Sequence, residues 1–494
     1  MTKIVIEKVN DVYMRVMSEP SVEQELADRF TFVVEGYKFT PAYKSGHWDG
    51  KIRLYNLQKK TVYVGLLQYI IKYADDNDLE VEYLNEVNET DNIGAEYVQK
   101  FTDWLNIHSN NKKIHLREYQ IDAVHRALTK KRLLLLSPTS SGKSALIYSI
   151  IRHHLEHNRK CLIIVPSISL VSQMYGDFID YSSHNGWKTE NYCQQIQAGT
   201  TKDISKPITI STWQSIFKQP KSWFDQFDVV ICDEVHTAVA KSLSGIMEKL
   251  TSTPYRIGLT GTLSASKTNK LVLEGHFGPV NQVITTNDLM TNNQIAQLKI
   301  KCLLLKYDDD TRKAVSKYQY QDEIDYIVTH PGRNKFIRNL TLSTTGNTLV
   351  LFTLVEKHGK KLYDMISTKA GDRKVFIVYG GVSGVQREEI RALVAKEKDA
   401  IIIASYATYQ QGINVPSIEN IVFASPTKSK IRSLQSIGRG LRLNEGKTHC
   451  NLFDIADDFS WKKTRNNTLN HLTERLKIYS EEKFNFKIVE VPLE

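Results

Sequence analysis

The amino-acid sequence predicts an α/β protein with two parallel-sheet domains in tandem, preceded by a small α+β domain. The main observation is an alternation of short apolar runs and helical stretches that begins near residue 113. Continuous apolar strands between helices are typical of a parallel sheet covered on both faces. The alternation restarts after a polar segment at Thr285–Gln297, which predicts a second domain of the same kind. The expected domains are residues 1–112, 113–297 and 298–494.

The first 112 residues follow a different pattern, with brief strands and few helices. Val12, Met14 and Val16 occupy alternate positions, as in a half-buried strand. The pair Asp49-Gly50 predicts a tight turn between two further strands. Ser21 followed by Gln24 resembles a capping box and predicts a helix near residues 21–30. The remaining elements expected here are strands at Phe32–Val34, Lys51–Tyr55 and Val62–Val64 and a helix at Leu66–Asp76.

Ten apolar runs predict the strands of the two larger domains. The first domain should use Arg132–Leu136, Cys161–Val165, Ile208–Ser211, Val229–Cys232 and Arg256–Leu259, with helices such as Ser144–His157 and Ser169–Tyr181 between them. The second should use Thr348–Phe352, Val375–Tyr379, Ile401–Ala404, Ile421–Ala424 and Asn451–Asp454. Asp454, Asp457 and Asp458 are expected to follow this last strand, and we interpret them mainly as structural caps.

The composition is that of a soluble globular chain. Of the 494 residues, 41% are hydrophobic and 24% are charged, and no run of eighteen apolar residues occurs. The first fourteen residues carry charges where a signal peptide has a continuous apolar stretch, so we expect the protein to stay where it is made. The five cysteines are scattered without a CxxC pair, which favours free buried thiols over disulfides or a zinc ribbon.

The charge is unevenly distributed along the chain. The net charge is +10, but residues 1–110 hold twelve basic against eighteen acidic residues, so the excess of positive charge lies beyond residue 110. Such an excess favours association with a polyanion, and nucleic acid is the partner that it suggests.

A phosphate-binding loop follows the first strand of the second domain. The segment 137–144 reads Ser-Pro-Thr-Ser-Ser-Gly-Lys-Ser and leads into a helix. Backbone amides of such a loop and the helix N-terminus bind phosphate oxygens, the lysine reaches the β- and γ-phosphates, and the hydroxyl after it ligates magnesium. Ser137 stands where the usual pattern has its first glycine, which should make the opening of the loop less permissive. The residues expected to bind ATP here are Pro138, Thr139, Ser140, Ser141, Gly142, Lys143 and Ser144, with Ser144 also on Mg²⁺.

An acidic pair follows the strand Val229–Cys232. Asp233 at the end of a buried strand can hold the magnesium ion, and Glu234 beside it can polarise the attacking water. His236 is expected to connect the nucleotide site with the nucleic-acid site. Two carboxylates that only cap the next helix are the structural alternative.

Together these motifs resemble those of the superfamily 2 helicases of the DExH kind, from about residue 114 to the end. The resemblance implies two RecA-like lobes, an ATPase driven by Asp233, Glu234 and Lys143, and the cofactors ATP and Mg²⁺. The segment 117–120, Arg-Glu-Tyr-Gln, is similar to the Q motif, which implies that Gln120 contacts the adenine base. The segment 259–263, Leu-Thr-Gly-Thr-Leu, matches the motif that couples hydrolysis to movement, and gives this role to Thr260 and Thr262.

The second lobe carries two further motifs of this resemblance. Residues 405–416 match motif V, which implies roles for Gln411 and Gly412, and residues 435–442 match motif VI, with Gln435 in the coupling set. Arg439 and Arg442 are three residues apart and share a helix face, so they can stabilise γ-phosphate charge as arginine fingers. The strand-end residues implied to contact nucleic acid are Ser167, Thr212, Gln214, Thr353 and Gln411.

Basic and aromatic residues alternate over residues 36–73 of the front domain. Seven lysines and arginines face a single acid, Asp49, and eight aromatic side chains lie among them. This pattern suits phosphate contacts combined with stacking on unpaired bases, whereas the alternative is a small sheet with an aromatic core and outward lysines. The candidate nucleic-acid contacts are Lys44, Trp48, Lys51 and Arg53.

The front domain with its segment 41–50 and the compact motor resemble the phage UvsW-type helicases. That resemblance implies an ATP-driven DNA helicase that remodels forks, Holliday junctions and strand-invasion loops in recombination, replication and repair. For a phage-encoded chain, the resemblance implies the host cytoplasm. We also expect a monomer when the protein is isolated, with branched or partly single-stranded DNA and a single-strand-binding or recombination protein as partners. An RNA helicase, a restriction-type DNA motor component and a nucleotide-switched binding protein remain alternatives.

Overall fold

The structure of the protein is a computed structural model that describes residues 3–493 except 35, 88–89, 198, 239–240, 264–266, 411–417, 427–436, 439 and 442–446. It forms two compact units. The first comprises Met1–Ser137 and Gly142–Val283, and the second comprises Pro138–Ser141 and Ile284–Glu494. Among the described residues, no helix combines the length and the apolar character needed to cross a membrane.

The N-terminal part of the first unit is a small mixed sheet with the strand order β5-β2-β1-β6. Its core is formed by the alternate inward residues of β1 and β2 together with α1 and α3, as the alternation at Val12, Met14 and Val16 predicted. The elements are β1 (Lys3–Lys8), β2 (Tyr13–Met17), α1 (Pro20–Arg29), β3 (Thr31–Val33), α2 (Pro41–Lys44), β4 (Lys51–Arg53), β5 (Thr61–Tyr63), α3 (Leu67–Asp76) and β6 (Glu80–Tyr83).

The prediction of a tight turn at Asp49-Gly50 is wrong. Strands β3 and β4 do pair, but the connection between them runs over residues 34–50 and includes α2. Gly50 has a φ of 80°, and the ring of Tyr37 lies so close that a Cβ atom at this position would be 2.1 Å from it. Asp49 accepts a hydrogen bond from the Lys51 amide at 3.1 Å instead of closing a two-residue hairpin.

The rest of the first unit is a seven-stranded parallel sheet with the order β11-β12-β10-β13-β14-β9-β15. The five predicted strands are confirmed, and they occupy its five adjacent inner positions. Its strands are β9 (Arg132–Leu136), β10 (Cys161–Val165), β11 (Cys193–Ile196), β12 (Ile208–Thr212), β13 (Val229–Cys232), β14 (Tyr255–Thr260) and β15 (Val280–Gln282), preceded by the hairpin β7 (His108–Ser109) and β8 (Lys112–Lys113). Its helices are α4 (Ala95–Trp104), α5 (Glu118–Lys130), α6 (Lys143–Glu156), α7 (Ile168–Tyr181), α8 (Thr189–Tyr192), α9 (Trp213–Ile216), α10 (Lys221–Phe224), α11 (Lys241–Lys249) and α12 (Lys267–Phe277).

The small mixed sheet is docked tightly on α12. Gly65 lies against the α12 backbone so closely that a Cβ atom would be 2.0 Å from the carbonyl oxygen of Glu274. The Tyr69 hydroxyl donates to the Glu274 carboxylate at 2.6 Å, and the ring of Tyr63 packs on that of His276 with 4.6 Å between centroids. The small sheet and the parallel sheet of the first unit therefore form one packed body.

The second unit contains another seven-stranded parallel sheet, with the order β18-β19-β17-β20-β21-β16-β22. All five predicted strands are present, and two edge-side strands, β16 and β22, were not predicted. The strands are β16 (Gln297–Lys306), β17 (Thr348–Phe352), β18 (Val375–Val378), β19 (Ile401–Ser405), β20 (Asn420–Phe423), β21 (His449–Asp458) and β22 (Phe486–Pro492). The described helices are α13 (Thr286–Thr291), α14 (Asp309–Val315), α15 (Tyr320–Thr329), α16 (Pro331–Ser343), α17 (Lys360–Ser367), α18 (Gly384–Lys396), α19 (Tyr406–Gln410) and α20 (Asn467–Glu481).

All three aspartates lie within β21 and do not follow it. Asp458 caps the next turn, since its Oδ1 atom accepts from the Ser460 amide at 2.9 Å, whereas the capping role predicted for Asp454 and Asp457 is corrected. Asp454 pairs with Arg475 of α20 at 2.8 Å, and Asp457 pairs with Arg333 of α16 at 2.8 Å, with all four side chains buried. Asp454 and Asp457 are an odd number of residues apart and face opposite sides of the sheet. The strand therefore anchors one helix on each face, which is a structural role. Asp458 pairs with Lys306 of β16 at 2.6 Å.

The five cysteines are free and buried, as predicted.

Candidate nucleotide and nucleic-acid sites

The loop between β9 and α6 has the backbone shape of a phosphate cradle. Ser140 and Gly142 have φ values of 70° and 86°, so the chain curls through the left-handed region at these two positions. The buried Ser137 has an ordinary φ, and its amide donates to the Thr260 carbonyl at 2.8 Å. A glycine is therefore not needed at position 137, and the position that would benefit from one is 140.

Gln120 lies directly beside this loop. A Cβ atom on Gly142 would be 2.2 Å from the Gln120 Nε2 atom, so a side chain at 142 would displace Gln120 and would also be strained at a φ of 86°. The Gln120 Oε1 atom accepts a hydrogen bond from the Arg117 amide at 2.8 Å, which fixes the side chain at the start of α5. The structure thus brings the predicted adenine-contacting residue next to the phosphate loop.

A chain of polar contacts links the phosphate loop to the ends of β13 and β14. The Lys143 ammonium donates to Glu234 Oε1 at 2.8 Å, and Glu234 Oε2 lies 3.2 Å from His236 Nδ1. His236 Nδ1 is also 2.7 Å from the hydroxyl of Thr260, which donates to the Thr262 carbonyl at 2.8 Å. Strands β13, β14 and β9 are neighbours in the sheet, so these residues meet at its carboxyl edge, where ligands of parallel sheets bind.

The two adjacent carboxylates have opposite electrostatic environments. Burial and the neighbouring charge of Glu234 raise the pKa of Asp233 above its ordinary value. Burial also raises the pKa of Glu234, but Lys143 and His236 outweigh this effect, and the net pKa of Glu234 is lowered. Glu234 is therefore held as a carboxylate, and its φ of 50° shows that the backbone is turned sharply at this residue.

Ser144 and Asp233, the predicted magnesium ligands, both carry oxygen donors. A hydroxyl and a carboxylate are oxygen ligands of the kind that Mg²⁺ prefers. The raised pKa of Asp233 indicates a carboxylate short of positive charge, whereas Glu234 already has Lys143 as a partner. A divalent cation would supply the missing charge and would neutralise phosphate oxygens when bound.

The strand-end residues of the first unit lie along the same edge of the sheet. Ser167 caps α7 by accepting from the Leu170 amide, and Gln214 is exposed, with its Nε2 atom 3.4 Å from the Pro166 carbonyl. The hydroxyl of Thr212 is buried against that of Ser215 at 2.9 Å, so Gln214 is the more accessible of the two predicted residues on this strand end.

In the second unit Thr353 follows β17 and is exposed. Its amide donates to the hydroxyl of Ser425 at 3.1 Å.

The basic and aromatic segment of the small domain divides into core and surface. Tyr55 and Tyr73 are buried in the core, as the structural alternative expected, whereas Lys44 and Lys51 are exposed. The remaining candidates have partners within the domain, since Trp48 Nε1 donates to the Lys51 carbonyl at 2.8 Å and Arg53 pairs with Asp49.

Five of the predicted site residues lie outside the part of the chain that the structure describes. They are Gln411, Gly412, Gln435, Arg439 and Arg442.

Three family models match consecutive parts of the chain. The model of the N-terminal part of the DNA helicase UvsW matches residues 4–83. The model of the type III restriction enzyme res subunit matches residues 113–265, and that of the helicase conserved C-terminal domain matches residues 332–444. Their order agrees with that of the small domain and the two parallel sheets.

The ATP-dependent DNA helicase uvsW of Enterobacteria phage T4 is 34% identical to this chain over 499 residues, covering 97% of this chain and 98% of the phage protein. The chain belongs to the UvsW family of superfamily 2 helicases. A more distant relative is the DNA 3'-5' translocase XPB2 of Sulfurisphaera tokodaii. It is 25% identical over an alignment that covers 67% of this chain and 79% of the translocase.

Solved structures agree with this assignment to the UvsW family. The crystal structure of T4 UvsW aligns over 100% of both chains with a TM-score of 0.53 and 32% identity. The DNA-bound type ISP restriction-modification enzyme LlaBIII aligns with a TM-score of 0.57 at 17% identity, covering 85% of this chain and 34% of that one, which shows a shared fold alone. This UvsW-family chain is therefore a helicase with two RecA-like lobes and an ATP-dependent motor, as the motifs predicted.

Sequence reasoning missed three features of this UvsW-family helicase. Phe39 is 82% exposed in the 34–50 connection, although the sequence analysis singled out Trp48 instead. Ser140 is a residue of the phosphate loop with a strained, left-handed backbone conformation. The sequence signal that could have indicated this was its position two residues before Gly142. His358 and Ser425 form a buried pair behind Thr353, and no local motif marks them.

Proposed function

We propose that this helicase uses ATP hydrolysis to remodel branched DNA, such as forks, Holliday junctions and D- or R-loops, in recombination, replication and repair. The observation that carries the proposal is the direct contact of Lys143 with Glu234 in a chain related to the T4 DNA helicase along 97% of its length. The proposed division of labour is residues 1–112 for DNA recognition, 113–297 for ATP binding and 298–494 for the second motor lobe.

The contacts of the phosphate loop support a direct route for hydrolysis. The Lys143 ammonium is bound to Glu234, and γ-phosphate oxygens would compete for it. Once Lys143 turns to phosphate, Glu234 keeps its contact with His236 and is freed to orient the attacking water. Ser144 and Asp233 would hold Mg²⁺, and Arg439 and Arg442 would stabilise the charge that develops on the phosphate.

The contact between His236 and Thr260 supports a coupling role for the Thr260–Thr262 segment. The His236 ring touches both Glu234 and Thr260, so a change in the Glu234 contacts reaches the end of β14 through one side chain. If the Glu234 contacts change when nucleotide binds, the two states differ in a contact that reaches β14, and a motor requires such a difference between its states. Gln435 would belong to the same coupling set from the second lobe.

The proposed DNA contacts lie at strand ends and on the small domain. Ser167, Thr212 and Gln214 in the first lobe, and Thr353 and Gln411 in the second, would grip the backbone without reading sequence. On the small domain, Lys44, Lys51 and the exposed ring of Phe39 combine phosphate attraction with a surface for base stacking.

The test is the ATPase rate of the full chain without nucleic acid and with single-stranded DNA, duplex, a model fork, a four-way junction and matched RNA. We expect the branched DNA to stimulate hydrolysis most. Stimulation by RNA that equals or exceeds that by DNA would favour an RNA helicase, and no stimulation by any nucleic acid would favour a nucleotide switch. A restriction-type motor component is less favoured because the UvsW N-terminal model matches residues 4–83.

The role of the small domain is tested by Phe39→Ala and Trp48→Ala. We expect both variants to weaken binding to a fork, with Phe39→Ala leaving the melting temperature unchanged because the ring is 82% exposed. Leu84→Ala is the matched control, since Leu84 is a 55% exposed apolar residue of the same domain outside this segment. Equal fork binding by Phe39→Ala and Leu84→Ala would contradict the proposed stacking surface.

A further inference from the structure

The chain makes an unusually wide helical turn directly after β17. Residues Val355–Gly359 form a π-helical turn that leads into α17. Such wide turns inside α-helical segments are rare and occur frequently at functional sites. Gly359 is required here, because a Cβ atom at this position would lie 2.4 Å from the buried ring of Phe352. The turn thus packs against the last residue of β17.

The wide turn places the buried His358 against Ser425. His358 Nδ1 lies 3.0 Å from the hydroxyl of Ser425, and the same hydroxyl accepts a hydrogen bond from the Thr353 amide at 3.1 Å. His358 and Ser425 are 0% and 2% exposed, whereas Thr353 is on the surface. One buried hydroxyl therefore ties the ring of His358 to the peptide group of the exposed strand-end residue.

A histidine at this buried position destabilises the fold unless it has a specific role. The Nε2 atom of His358 has no hydrogen-bond partner among the described residues. Leaving a polar atom buried without a partner is destabilising, and an apolar side chain of similar size would avoid that cost. Burial also lowers the pKa of His358 well below its usual value, so the ring is neutral at physiological pH. Packing alone does not account for the residue, but its bond to Ser425 does.

The three residues lie at the carboxyl edge of the second parallel sheet. Strands β19, β17 and β20 are consecutive neighbours, and Ser405, Thr353 and Ser425 come at or just after their ends. Ser405 begins the segment that resembles motif V and pairs with Phe352 across the sheet. Ligands of parallel sheets bind at this edge. Thr353 is thus held between two strand ends at the place where the second lobe would meet DNA.

We propose that His358 is a positioning residue for DNA, which fixes the Thr353 peptide through the Ser425 hydroxyl so that this strand end can grip the backbone. The assignment rests on the proposed function, because it deepens the DNA contact proposed for Thr353. His358 does not touch the DNA or the nucleotide, and its removal affects the grip of the second lobe and leaves the ATP site intact.

The test compares His358→Leu with His358→Asn in the full chain. The asparagine amide reaches about as far as the histidine Nδ1 atom and can keep the bond to Ser425, whereas leucine cannot. We measure the single-stranded DNA concentration that half-maximally stimulates the ATPase, the KM for ATP and the DNA-free rate. His358→Leu should raise the half-maximal DNA concentration about fivefold, the factor that corresponds to one hydrogen bond of about 1 kcal/mol. His358→Asn should stay within about twofold of the unchanged protein, and neither variant should alter the KM for ATP or the DNA-free rate.

Ser425→Ala provides a second, smaller change that removes the same link. We expect it to reproduce the DNA effect of His358→Leu, and the double variant should be no worse than either single one, because all three break one chain of contacts. A purely structural role would lower the melting temperature and the turnover equally in the leucine and asparagine variants, without a shift in the half-maximal DNA concentration. That result overturns the assignment. If DNA fails to stimulate the unchanged protein, the proposed function fails first and the assignment fails with it.

Discussion

Replacing Gly65 with alanine should loosen the small domain from the first parallel sheet. The added Cβ would lie 2.0 Å from the Glu274 carbonyl oxygen, 2.7 Å from that of Gly275 and 2.9 Å from the Gly278 amide nitrogen. All three atoms belong to the backbone, so no side chain can swing away. A normal carbon–oxygen contact is about 3.3 Å or more, so α12 must move by about 1.3 Å.

The size of the effect follows from what holds α12 in place. Overpacking of this kind costs about 1–3 kcal/mol. A shift of α12 also stretches the 2.6 Å bond from Tyr69 to the Glu274 carboxylate, and a hydrogen bond to a charged group contributes about 1.5–3 kcal/mol. We expect a net loss of about 3 kcal/mol, which lowers the melting temperature of the first unit by about 6–12 °C.

Differential scanning calorimetry of the full chain measures this loss, and Gly176→Ala is the matched control. Gly176 lies inside α7 with nothing within 4 Å of its Cβ position, so the same substitution should stabilise the protein by about 0.5–1 kcal/mol. Gly65→Ala should lower the free energy of unfolding, whereas Gly176→Ala should raise it. If the Gly65→Ala protein has the same melting temperature as the unchanged protein, the close packing of Gly65 on α12 is refuted.

Three further predictions concern the phosphate loop and one buried histidine. Lys143→Ala and Glu234→Gln should each abolish ATP hydrolysis while DNA binding, measured by fluorescence anisotropy, stays largely intact; substantial turnover in both variants would contradict the site. Ser140→Gly should raise the stability by up to about 1 kcal/mol, because it relieves a left-handed residue at φ 70°, and a lower melting temperature would show that the serine side chain is needed there. Burial lowers the pKa of His276 to about 3, so the unfolded chain binds a proton that the folded chain does not, and stability falls by about 1.4 kcal/mol per pH unit below pH 6.5. His276→Phe should reduce the acid slope of urea-unfolding stability by that amount, whereas Phe277→Leu on the same helix should leave the slope unchanged.

The inner strands of both parallel sheets were the part of the molecule that the sequence predicted well. Runs such as Cys161–Val165 are apolar at every position because both faces of the sheet are covered, and this leaves a strong local signal. The Gly142-Lys143 pair and the Asp233-Glu234 pair are likewise local, and strand adjacency brings them together.

The remaining features depend on partners that are distant in the sequence. Strand β16 alternates exposed and buried residues at its start, and β22 is mostly exposed, so neither resembles an inner strand. The turn signal at Asp49-Gly50 failed because β3 and β4 are joined by residues 34–50, which include α2, and the ring of Tyr37, thirteen residues earlier, packs against Gly50. The pairing of His358 with Ser425 spans 67 residues, and no local pattern predicts it.

The strand order of the second unit has a consequence for how the protein is made. Strand β16 is flanked by β21 and β22, and its contact from Lys306 to Asp458 spans 152 residues. At synthesis rates of about 5–20 residues per second, the ribosome leaves β16 without either neighbour for roughly 8–30 s. The first unit has all of its strands before β16 is even translated. An unpaired strand invites pairing with other chains, so the nascent second unit is open to such pairing until β21 emerges.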